Sequence, residues 1–533
     1  MSKRLVRGIW RRNEASKLQV RFGMNELSNV VPFPSAYRAS GLLLHVTSLP
    51  SPYGIGDLGP AAFSWVDRLH DASQGWWQSL PLGPTGYGNS PYQSLSSFAG
   101  NGLMVSPSAL ISDGLLKACD CECHFALEAV DYDAVIPFKR RLLKSSWRNF
   151  RAGERKDMVR EFEEFRVSQE HWLEDYSLFR TLKDKYHGVS YLKWPTELVQ
   201  RRPDALARAR RDLANETDQV RFSQFLVFRQ AAELRKHAQS KNVGLIGDLP
   251  FFVSPDSSDV WAHPEFFLLD EHRRPRFVAG VPADYFSAQG QLWGNPVYDW
   301  DALRATGYRW CIERIRALLA HVDLIRLDHF RGFAAAWHVP AGSTTALTGE
   351  WVPGPGADFF EAVRKEMARL PFIAEDLGVM TPDVPVLRDK FQLPGTRVLQ
   401  FAFDGHADNP HLPQNFVTNT VAYTGTHDNA TTRQWYEESN AVERRSMWSC
   451  LKRAPGAIAD VAPALMNLLW SSPAALTIAP LQDLLNLGGG NRMNFPGRAA
   501  GNWRWRCQDG MLDGRIFKGL KDLTEQSKRS APG

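Results

Sequence analysis

The sequence contains no long hydrophobic run and few cysteines, and each absence excludes a class of protein. No stretch approaches the ~18 consecutive apolar residues of a transmembrane helix, so no membrane span is expected. Six cysteines in 533 residues are too few for a disulfide framework. The first residues also lack the apolar run of a secretory signal. These features predict a cytoplasmic protein.

The net charge of +5 belongs to one end of the chain. Residues 1–21 hold seven Lys and Arg against one acid, which leaves the rest of the chain with a net charge of −1. A phosphate-binding surface is therefore not indicated, and no nucleic-acid partner is expected. The segment resembles an organellar transit peptide in being Arg-rich and acid-poor, or it precedes a start at Met24. We favour the second interpretation and predict that residues 1–38 are a disordered basic extension.

Three of the cysteines, Cys119, Cys121 and Cys123, lie close together and are followed by His124. Common zinc sites separate paired cysteines by about two to four residues, and here the separation is a single residue. Alternate residues of an extended segment lie on one face, which would place the three thiols together. We interpret them as incidental cysteines of a loop or edge strand, with a metal site as the alternative.

Eight short apolar runs recur along the chain, and each ends in polar or acidic residues. Such runs are typical of parallel strands buried on both faces. Helical periodicity lies between many of them, as at Trp310, Ile312 and Ile315. Eight strands that alternate with helices predict an α/β fold, a (β/α)8 TIM barrel, over residues 39–520. The runs are 41–49, 75–82, 243–251, 322–330, 372–378, 396–403, 419–428 and 476–486.

Two intervals are too long for simple barrel connections. Residues 100–240 carry apolar residues every three to four positions, which predicts a mainly helical insertion subdomain. Residues 252–321 are rich in Pro, Gly and aromatic residues, which predicts a loop-rich insertion with long aromatic loops over the active site. A polar C-terminal tail is predicted at 521–533.

Three carboxylates, Asp328, Glu375 and Asp428, lie where predicted strands end, which is where the active site of a (β/α)8 barrel lies. Paired carboxylates without a convincing metal motif indicate glycosidic bond chemistry, which needs an ionised nucleophile and a protonated acid. Arg326 points to the same side of its strand as Asp328, and its charge favours an ionised aspartate. We therefore interpret Asp328 as the nucleophile and Glu375 as the acid/base.

Asp428 is interpreted as a third carboxylate, which stabilises positive charge at the sugar ring. His329 and His427 are each adjacent to one of the two aspartates and are candidates to hydrogen-bond sugar hydroxyls. Core packing or capping is an equal alternative for both histidines.

Several longer motifs resemble one known family, the 4-α-glucanotransferases (amylomaltases, or disproportionating enzymes) of glycoside hydrolase family 77. The resemblance runs from about residue 39 to about residue 507. It implies a (β/α)8 barrel, retaining transfer of α-1,4-glucan segments, no cofactor, and the same roles for the three carboxylates. The motifs are SGLLLHVTSLPSPYGIGDLG, WWQSLPLGPTGYGNSPYQS, GLIGDLPFFVSPDSSDVWAHPEFF, AGVPADYFSAQGQLWGNPVYDW, DLIRLDHFRGF, IAEDLGVMTPDV, GTRVLQFAFDG, YTGTHDN and MNFPGRAAGNWRWR.

The resemblance also implies sugar-binding positions. Two departures from the family pattern are visible: Asn89 stands where Asp is frequent, and Ala430 where a polar residue is common. Both flank the catalytic positions and are interpreted as tuning specificity. The implied sugar-binding residues are Ser90, Tyr92, Asp248, Tyr285, Gln291, Trp293 and Asp404.

The expected substrates are α-1,4-glucans and maltooligosaccharides. An α-amylase-type hydrolase on the same barrel is the first alternative, and the motifs GYGNSPYQS and GQLWGNPVYDW favour transfer over it. A non-catalytic glucan-binding protein is the second, which predicts the loss of a carboxylate, whereas all three are present. Tyr285, Trp293 and Tyr298 on the loop 280–300 are expected to hold an acceptor sugar and to exclude water.

Overall fold

The computed structural model describes residues 32–34, 36–153, 156–283, 289–378, 380–498 and 500–530. Its strands, β1 to β12 in chain order, are Ala39–Leu43, Trp76–Gln78, Gly244–Leu249, Phe277–Val281, Gln291–Pro296, Leu324–Leu327, Ala335–Pro340, Glu350–Pro353, Phe372–Ala374, Gly395–Val398, Thr420–Tyr423 and Leu476–Pro480. Eight of them close into a barrel in the order β1-β12-β11-β10-β9-β6-β3-β2. All eight pairings are parallel.

The predicted (β/α)8 barrel is confirmed, and each of the eight apolar runs overlaps one barrel strand. Every residue of β1, β6, β9, β11 and β12 is buried, as expected of strands covered on both faces. Each barrel strand ends two or more residues before the end of the apolar run that it overlaps. β6 ends just before Asp328 and β9 just before Glu375, so these polar residues lie at the carboxyl end of the barrel.

Helices surround the barrel, and seven of them, α2 to α8, follow one another between β2 and β3. In chain order, α1 to α18 are Pro60–Asp71, Pro107–Ser112, Tyr132–Ala152, Lys156–Ser168, Glu170–Lys185, Thr196–Val199, Pro203–Asp212, Ala214–Ser240, Ser258–Ala262, Trp300–Ala305, Arg309–Leu319, Gly356–Met367, Asp383–Lys390, Thr432–Glu438, Ala441–Cys450, Val461–Ser471, Leu481–Leu484 and Gly514–Gln526. None of the helices in the described residues is long and apolar enough to cross a bilayer. The division into domains stays a prediction.

A second sheet, antiparallel and four-stranded, was not among the predicted elements. Its order is β5-β4-β7-β8, and β4 and β5 lie within the interval 252–321 that was predicted to be loop-rich. Glycine and proline interrupt the alternation that would reveal these strands. Gly280 is needed in β4, because a Cβ there would lie 2.5 Å from the backbone oxygen of Gln291 in β5.

Parts of both predicted tails pack against the rest of the protein, and the bounds of the tails stay predictions. Residues 1–31 and 35 of the extension predicted at 1–38 lie outside the described residues, but Phe33 is buried and stacks on Tyr37 at 5.0 Å. The tail predicted at 521–533 begins inside α18, which continues to Gln526. Leu520 and Thr524 of α18 are buried, because they face the body of the protein one helical turn apart.

The three clustered cysteines do not lie on one face of an extended segment. Residues 118–121 form a 3-10 turn in which Cys119 is exposed and Cys121 is buried, and Cys123 is half-buried beyond it. Within the described part of the chain, no group of three or more His, Cys, Asp or Glu side chains is arranged to hold a metal ion.

Arg529 binds backbone carbonyls at the amino-terminal end of the barrel, and its replacement by alanine should destabilise the protein. Its guanidinium is fully buried and donates to the carbonyl oxygens of Trp470, Ala39, Ala474 and Ser472 at 2.6 to 3.2 Å. Alanine would remove these four hydrogen bonds, although Arg38 would still donate to the carbonyl oxygens of Ser472 and Trp470. The loss should cost roughly 3 kcal/mol. Scanning calorimetry should show an unfolding midpoint lower by several degrees.

Arg515→Ala is the matched control, because Arg515 lies on α18 with a side chain that is 92% exposed. It should leave the midpoint nearly unchanged. Equal midpoints for the two variants would contradict a stabilising role for Arg529.

Candidate active site

Asp328 and Glu375 directly follow two neighbouring strands. The last residues of β6 and β9, Leu327 and Ala374, are paired in register, and Asp328 and Glu375 come next along each strand. The backbone N–H of Glu375 donates to the carbonyl oxygen of Leu327 at 3.1 Å, which extends the pairing by one residue. The two carboxylates predicted to act together are therefore neighbours at the carboxyl end of the barrel.

Arg326 is buried among three carboxylates. Its Nη1 donates to both oxygens of Asp248, at 2.9 and 2.8 Å, and to Oδ1 of Asp328 at 2.9 Å. Its Nη2 lies 3.9 Å from Oε2 of Glu375. Burial alone would lower the pKa of Arg326, but Asp248 and Asp328 raise it well above its usual value. The guanidinium therefore stays charged and holds the carboxylates in place.

Burial favours the protonated form of Glu375, and two backbone N–H groups hold its carboxyl in place. Its side chain is 12% exposed, and its oxygens accept hydrogen bonds from the backbone N–H groups of His329 at 2.7 Å and Leu377 at 3.1 Å. Burial raises the pKa of Glu375 to about 8; Arg326 opposes this rise, and the charge of Asp328 adds to it. A carboxyl that keeps its proton at neutral pH is suited to act as a general acid.

Asp428 lies in the loop between β11 and α14 and is the most open of the three carboxylates, with a side chain 50% exposed. Asn494 donates to its Oδ1 at 2.6 Å, and Arg492 donates to its carbonyl oxygen at 2.6 Å. Nε2 of His427 lies 3.4 Å from its Oδ2. The carboxylate is thus oriented on one side and open to a ligand on the other.

Tyr92 joins this loop to the buried aspartate of β3. Its hydroxyl donates to Oδ2 of Asp248 at 2.7 Å, and its ring stacks on His427 with centroids 5.1 Å apart. The Ser90 hydroxyl accepts from the backbone N–H of Tyr92 at 3.2 Å. Asp248 is buried, and Arg326 and Tyr92 occupy its oxygens, so its contacts support it as an anchor for Arg326. Direct sugar contacts of Ser90 and Asp248 stay a prediction.

Trp293 contacts His329, the residue that follows Asp328 in the chain. Their rings meet edge to face with centroids 4.8 Å apart, and Trp293 donates through Nε1 to Oε1 of the exposed Gln291 at 3.2 Å. His329 has a left-handed backbone, with φ of 49°, and burial lowers its pKa to about 4. Its Nε2 is buried and has no hydrogen-bond partner in the described part of the chain.

The other two aromatic residues predicted to hold an acceptor sugar are Tyr285 and Tyr298. Tyr285 lies outside the described residues. Tyr298 was expected to offer a flat face to an acceptor sugar, and this is wrong. Its side chain is buried, its hydroxyl donates to the carbonyl oxygen of Phe251 at 2.6 Å, and Arg314 donates to it at 3.0 Å. Tyr298 packs the insertion onto the barrel.

The next three predicted positions are Asp404 and the two departures from the family pattern, Asn89 and Ala430. Asp404 is exposed in the loop after β10 and accepts from the backbone N–H of His406 at 2.9 Å. Asn89 has a left-handed backbone, with φ of 57°, which asparagine tolerates well. The carbonyl oxygen of Ala430 accepts from Gln400 at 2.9 Å. The roles assigned to these three residues stay predictions.

Three buried residues under the site were missed by the sequence analysis. Tyr423 at the end of β11 donates to Oε1 of Gln78 at the end of β2, at 2.8 Å. His45 follows β1, and its Nδ1 lies 3.1 Å from the Ser79 hydroxyl. Burial, together with the nearby His427, lowers the pKa of His45 to about 3, so it is neutral. Only their position within the predicted strands 41–49, 75–82 and 419–428 could have singled them out.

The barrel is closed and parallel, and at its carboxyl end Arg326 lies among Asp248, Asp328 and Glu375. This fold and site define a (β/α)8-barrel enzyme that acts on glycosidic bonds. A family model described as 4-alpha-glucanotransferase matches residues 44–512. The chain belongs to this family and is an enzyme of the 4-alpha-glucanotransferase class.

Individual relatives agree with the family. The chain is 46% identical to a 4-alpha-glucanotransferase of Synechocystis sp., over 92% of this chain and 97% of the relative. It is 44% identical to the 4-alpha-glucanotransferase of Thermus thermophilus, over 92% and 99%. The amylomaltase of Streptococcus agalactiae, solved in complex with acarbose, has a TM-score of 0.89 and 34% identity, covering 92% of this chain and all of that one.

Proposed function

We propose that this enzyme transfers α-1,4-glucan segments from a donor to an acceptor maltooligosaccharide, or to glucose, through a glycosyl ester on Asp328. The observation that carries the proposal is Arg326, which hydrogen-bonds Asp328 and lies beside a Glu375 carboxyl whose pKa is raised to about 8. Arg326 hydrogen-bonds Asp328 and lies 3.9 Å from Glu375, and burial raises the pKa of Glu375 despite this nearby cation. A charged nucleophile beside a carboxyl with a raised pKa is the division that retaining transfer needs.

In the first step an oxygen of Asp328 attacks the anomeric carbon, and the bond from that carbon to the leaving oxygen breaks. Glu375 gives its proton to the leaving oxygen, which departs as the free 4-hydroxyl of the shortened chain. In the second step Glu375 takes the proton of an acceptor 4-hydroxyl, whose oxygen attacks the same carbon and releases Asp328. Two inversions give net retention.

Asp428 is proposed to stabilise the positive charge that develops at the sugar ring in both steps. Its carboxylate is half-exposed and oriented by Asn494, so one side of it can face a sugar. His427, whose ring stacks on that of Tyr92, and His329, whose buried Nε2 has no partner in the described residues, are proposed to hydrogen-bond sugar hydroxyls. Gln291, Asp404 and Tyr285 are proposed as further sugar contacts.

The choice between transfer and hydrolysis depends on which molecule reaches the ester. Trp293 is half-buried, and its ring contacts that of His329, the residue after Asp328 in the chain. We infer that it holds an acceptor ring and keeps water away. A hydrolase of the α-amylase type would need no such acceptor contact.

Incubation with maltotriose tests the proposal. We expect glucose together with a ladder of longer oligosaccharides, while total reducing ends stay nearly constant, because each transfer makes one glycosidic bond for each one it breaks. Product chromatography and a reducing-end assay measure both quantities. A steady rise in reducing ends with nothing longer than maltotriose would show a hydrolase.

Trp293→Ala should raise the ratio of hydrolysis to transfer. Leu292→Ala is the matched control, because neighbouring residues of β5 point to opposite faces of the sheet. The control should keep the wild-type ratio. An unchanged ratio in Trp293→Ala would remove Trp293 from the proposed acceptor site.

A cytoplasmic location stays a prediction from the cysteine content and the first residues. The relative from Solanum tuberosum is named chloroplastic/amyloplastic, and the basic residues 1–21 lie outside the described residues.

A further inference from the structure

The loop 424–432, which carries His427 and Asp428, begins where β11 ends and stops where α14 begins. Within the loop, Asn429 accepts from the backbone and hydroxyl of Thr426, its own N–H donates to the carbonyl oxygen of Thr426, and the N–H of Asp428 donates to the Thr426 hydroxyl at 3.3 Å. Asn494 and Arg492 bind Asp428 directly from outside the loop. The position of the backbone that carries Asp428 depends in addition on what holds the two ends of the loop.

Both ends are held by one carboxylate, Asp483 of α17. Its Oδ2 accepts from the hydroxyl of Thr424 at 2.6 Å and from that of Thr432 at 2.7 Å. Its Oδ1 accepts from the backbone N–H of Thr432 at 2.7 Å. All three residues are buried, so water does not compete for these bonds.

The loop borders a small pocket. Its volume is about 30 Å³, it lies between the loop and the segments that follow β1 and β12, and its lining includes His45, His427, Asn429, Asp483 and Trp505. Thr424 and Thr432 are buried at the two ends of the loop. The hydrogen bonds of Asp483 therefore act together with this packing to fix the ends of the loop.

We propose that Asp483 is a positioning residue for Asp428: by fastening Thr424 and Thr432 to one carboxylate, it fixes the loop that carries the charge-stabilising group. Asp483 itself contacts no substrate. The inference rests on the role proposed above for Asp428. It assigns a function to a side chain that lies 55 positions later in the chain.

Asp483→Ala should lower kcat on maltotriose by about 10- to 100-fold, because displacements of about 1 Å at a catalytic group have effects of this size. KM should change by less than about threefold, since most sugar contacts lie on other loops. Asp483→Asn should recover most of the rate. Its amide can still accept from the backbone of Thr432 and can donate to the two threonine hydroxyls, which then act as acceptors.

Stability effects are separated from positioning by a matched control and by normalisation to folded enzyme. Asp259→Ala also removes a buried aspartate from a short helix, where it accepts from the backbone of Ser97 at 2.8 Å. This variant should lose thermal stability but keep the wild-type kcat per folded molecule. An equal loss of kcat in both variants would overturn the proposal.

The double variant Asp428→Asn/Asp483→Ala gives the decisive measurement. If Asp483 acts through Asp428, its removal should cost less than about threefold in the Asp428→Asn background, because the group that it positions is already disabled. If the kcat losses of the two single variants multiply in the double variant, Asp483 acts elsewhere and the inference is overturned. Full activity of Asp428→Asn alone would instead refute the role proposed for Asp428, which distinguishes that failure from the failure of Asp483.

Discussion

Asp328→Asn should abolish transfer on maltotriose, with a loss in kcat/KM on the order of 10⁴-fold or more, as is typical when a nucleophile is removed. The amide keeps the shape of the side chain and an oxygen that can accept from Arg326, which donates to Asp328 at 2.9 Å. It cannot form the glycosyl ester at a useful rate. The fold should therefore survive while the chemistry stops.

Covalent labelling identifies the nucleophile directly. An activated glycosyl fluoride that forms the ester faster than it is released should label wild type on the peptide that contains Asp328, as seen by mass spectrometry. Asp328→Asn should show no label, and Asp301→Asn, a change at a surface residue that is 92% exposed, should label as wild type does. Label on a different carboxylate would refute the assignment.

The position of Asp328 follows from local patterns in the sequence. A continuous apolar run predicts a buried parallel strand, and the residue just after it must lie at the carboxyl end of the barrel. The same reasoning places Glu375 after β9. Arg326 is two residues from Asp328 and shares its side of the strand. These three residues could be predicted because their relation depends only on nearby chain and on strand geometry.

Contacts between distant segments could not be predicted in this way. Arg326 also binds Asp248, 78 positions away, and Asn494 orients Asp428 across 66 positions. A hydrogen-bonded pair of this kind leaves no periodic trace in the sequence. The same holds for Asp483, which reads as an ordinary acid in the first turn of a short helix.

Aromatic composition also fails to separate a binding surface from a core. Trp293 and Tyr298 lie five positions apart in one aromatic segment. The structure leaves Trp293 half-exposed beside His329, whereas Tyr298 is buried and bonded to a backbone carbonyl and to Arg314. The difference depends on the second sheet, whose strand β5 ends between the two residues, and glycine and proline conceal that sheet in the sequence.

Glu375→Gln should lower kcat on maltotriose by about 10²- to 10⁴-fold, the range of general acid catalysis. Glutamine keeps the two contacts to the backbone of His329 and Leu377 only in part, because its amide nitrogen cannot accept. It also has no proton to give. With a glycosyl fluoride as donor, fluoride leaves without protonation, so formation of the ester should be far less affected. The ester should accumulate, because the base that activates the acceptor is also missing.

The pH dependence gives an independent check on the same residue. Because burial raises the pKa of Glu375 to about 8, the proton is present at neutral pH and is lost as the pH rises through that value. Wild-type activity on maltotriose should therefore fall on the alkaline side near pH 8. Ester formation from the fluoride donor should lack this fall. Glu361→Gln, at a surface residue paired with Lys390, should keep the wild-type profile. If Glu375→Gln retained the alkaline fall and most of its activity on maltotriose, the acid would have to be another group.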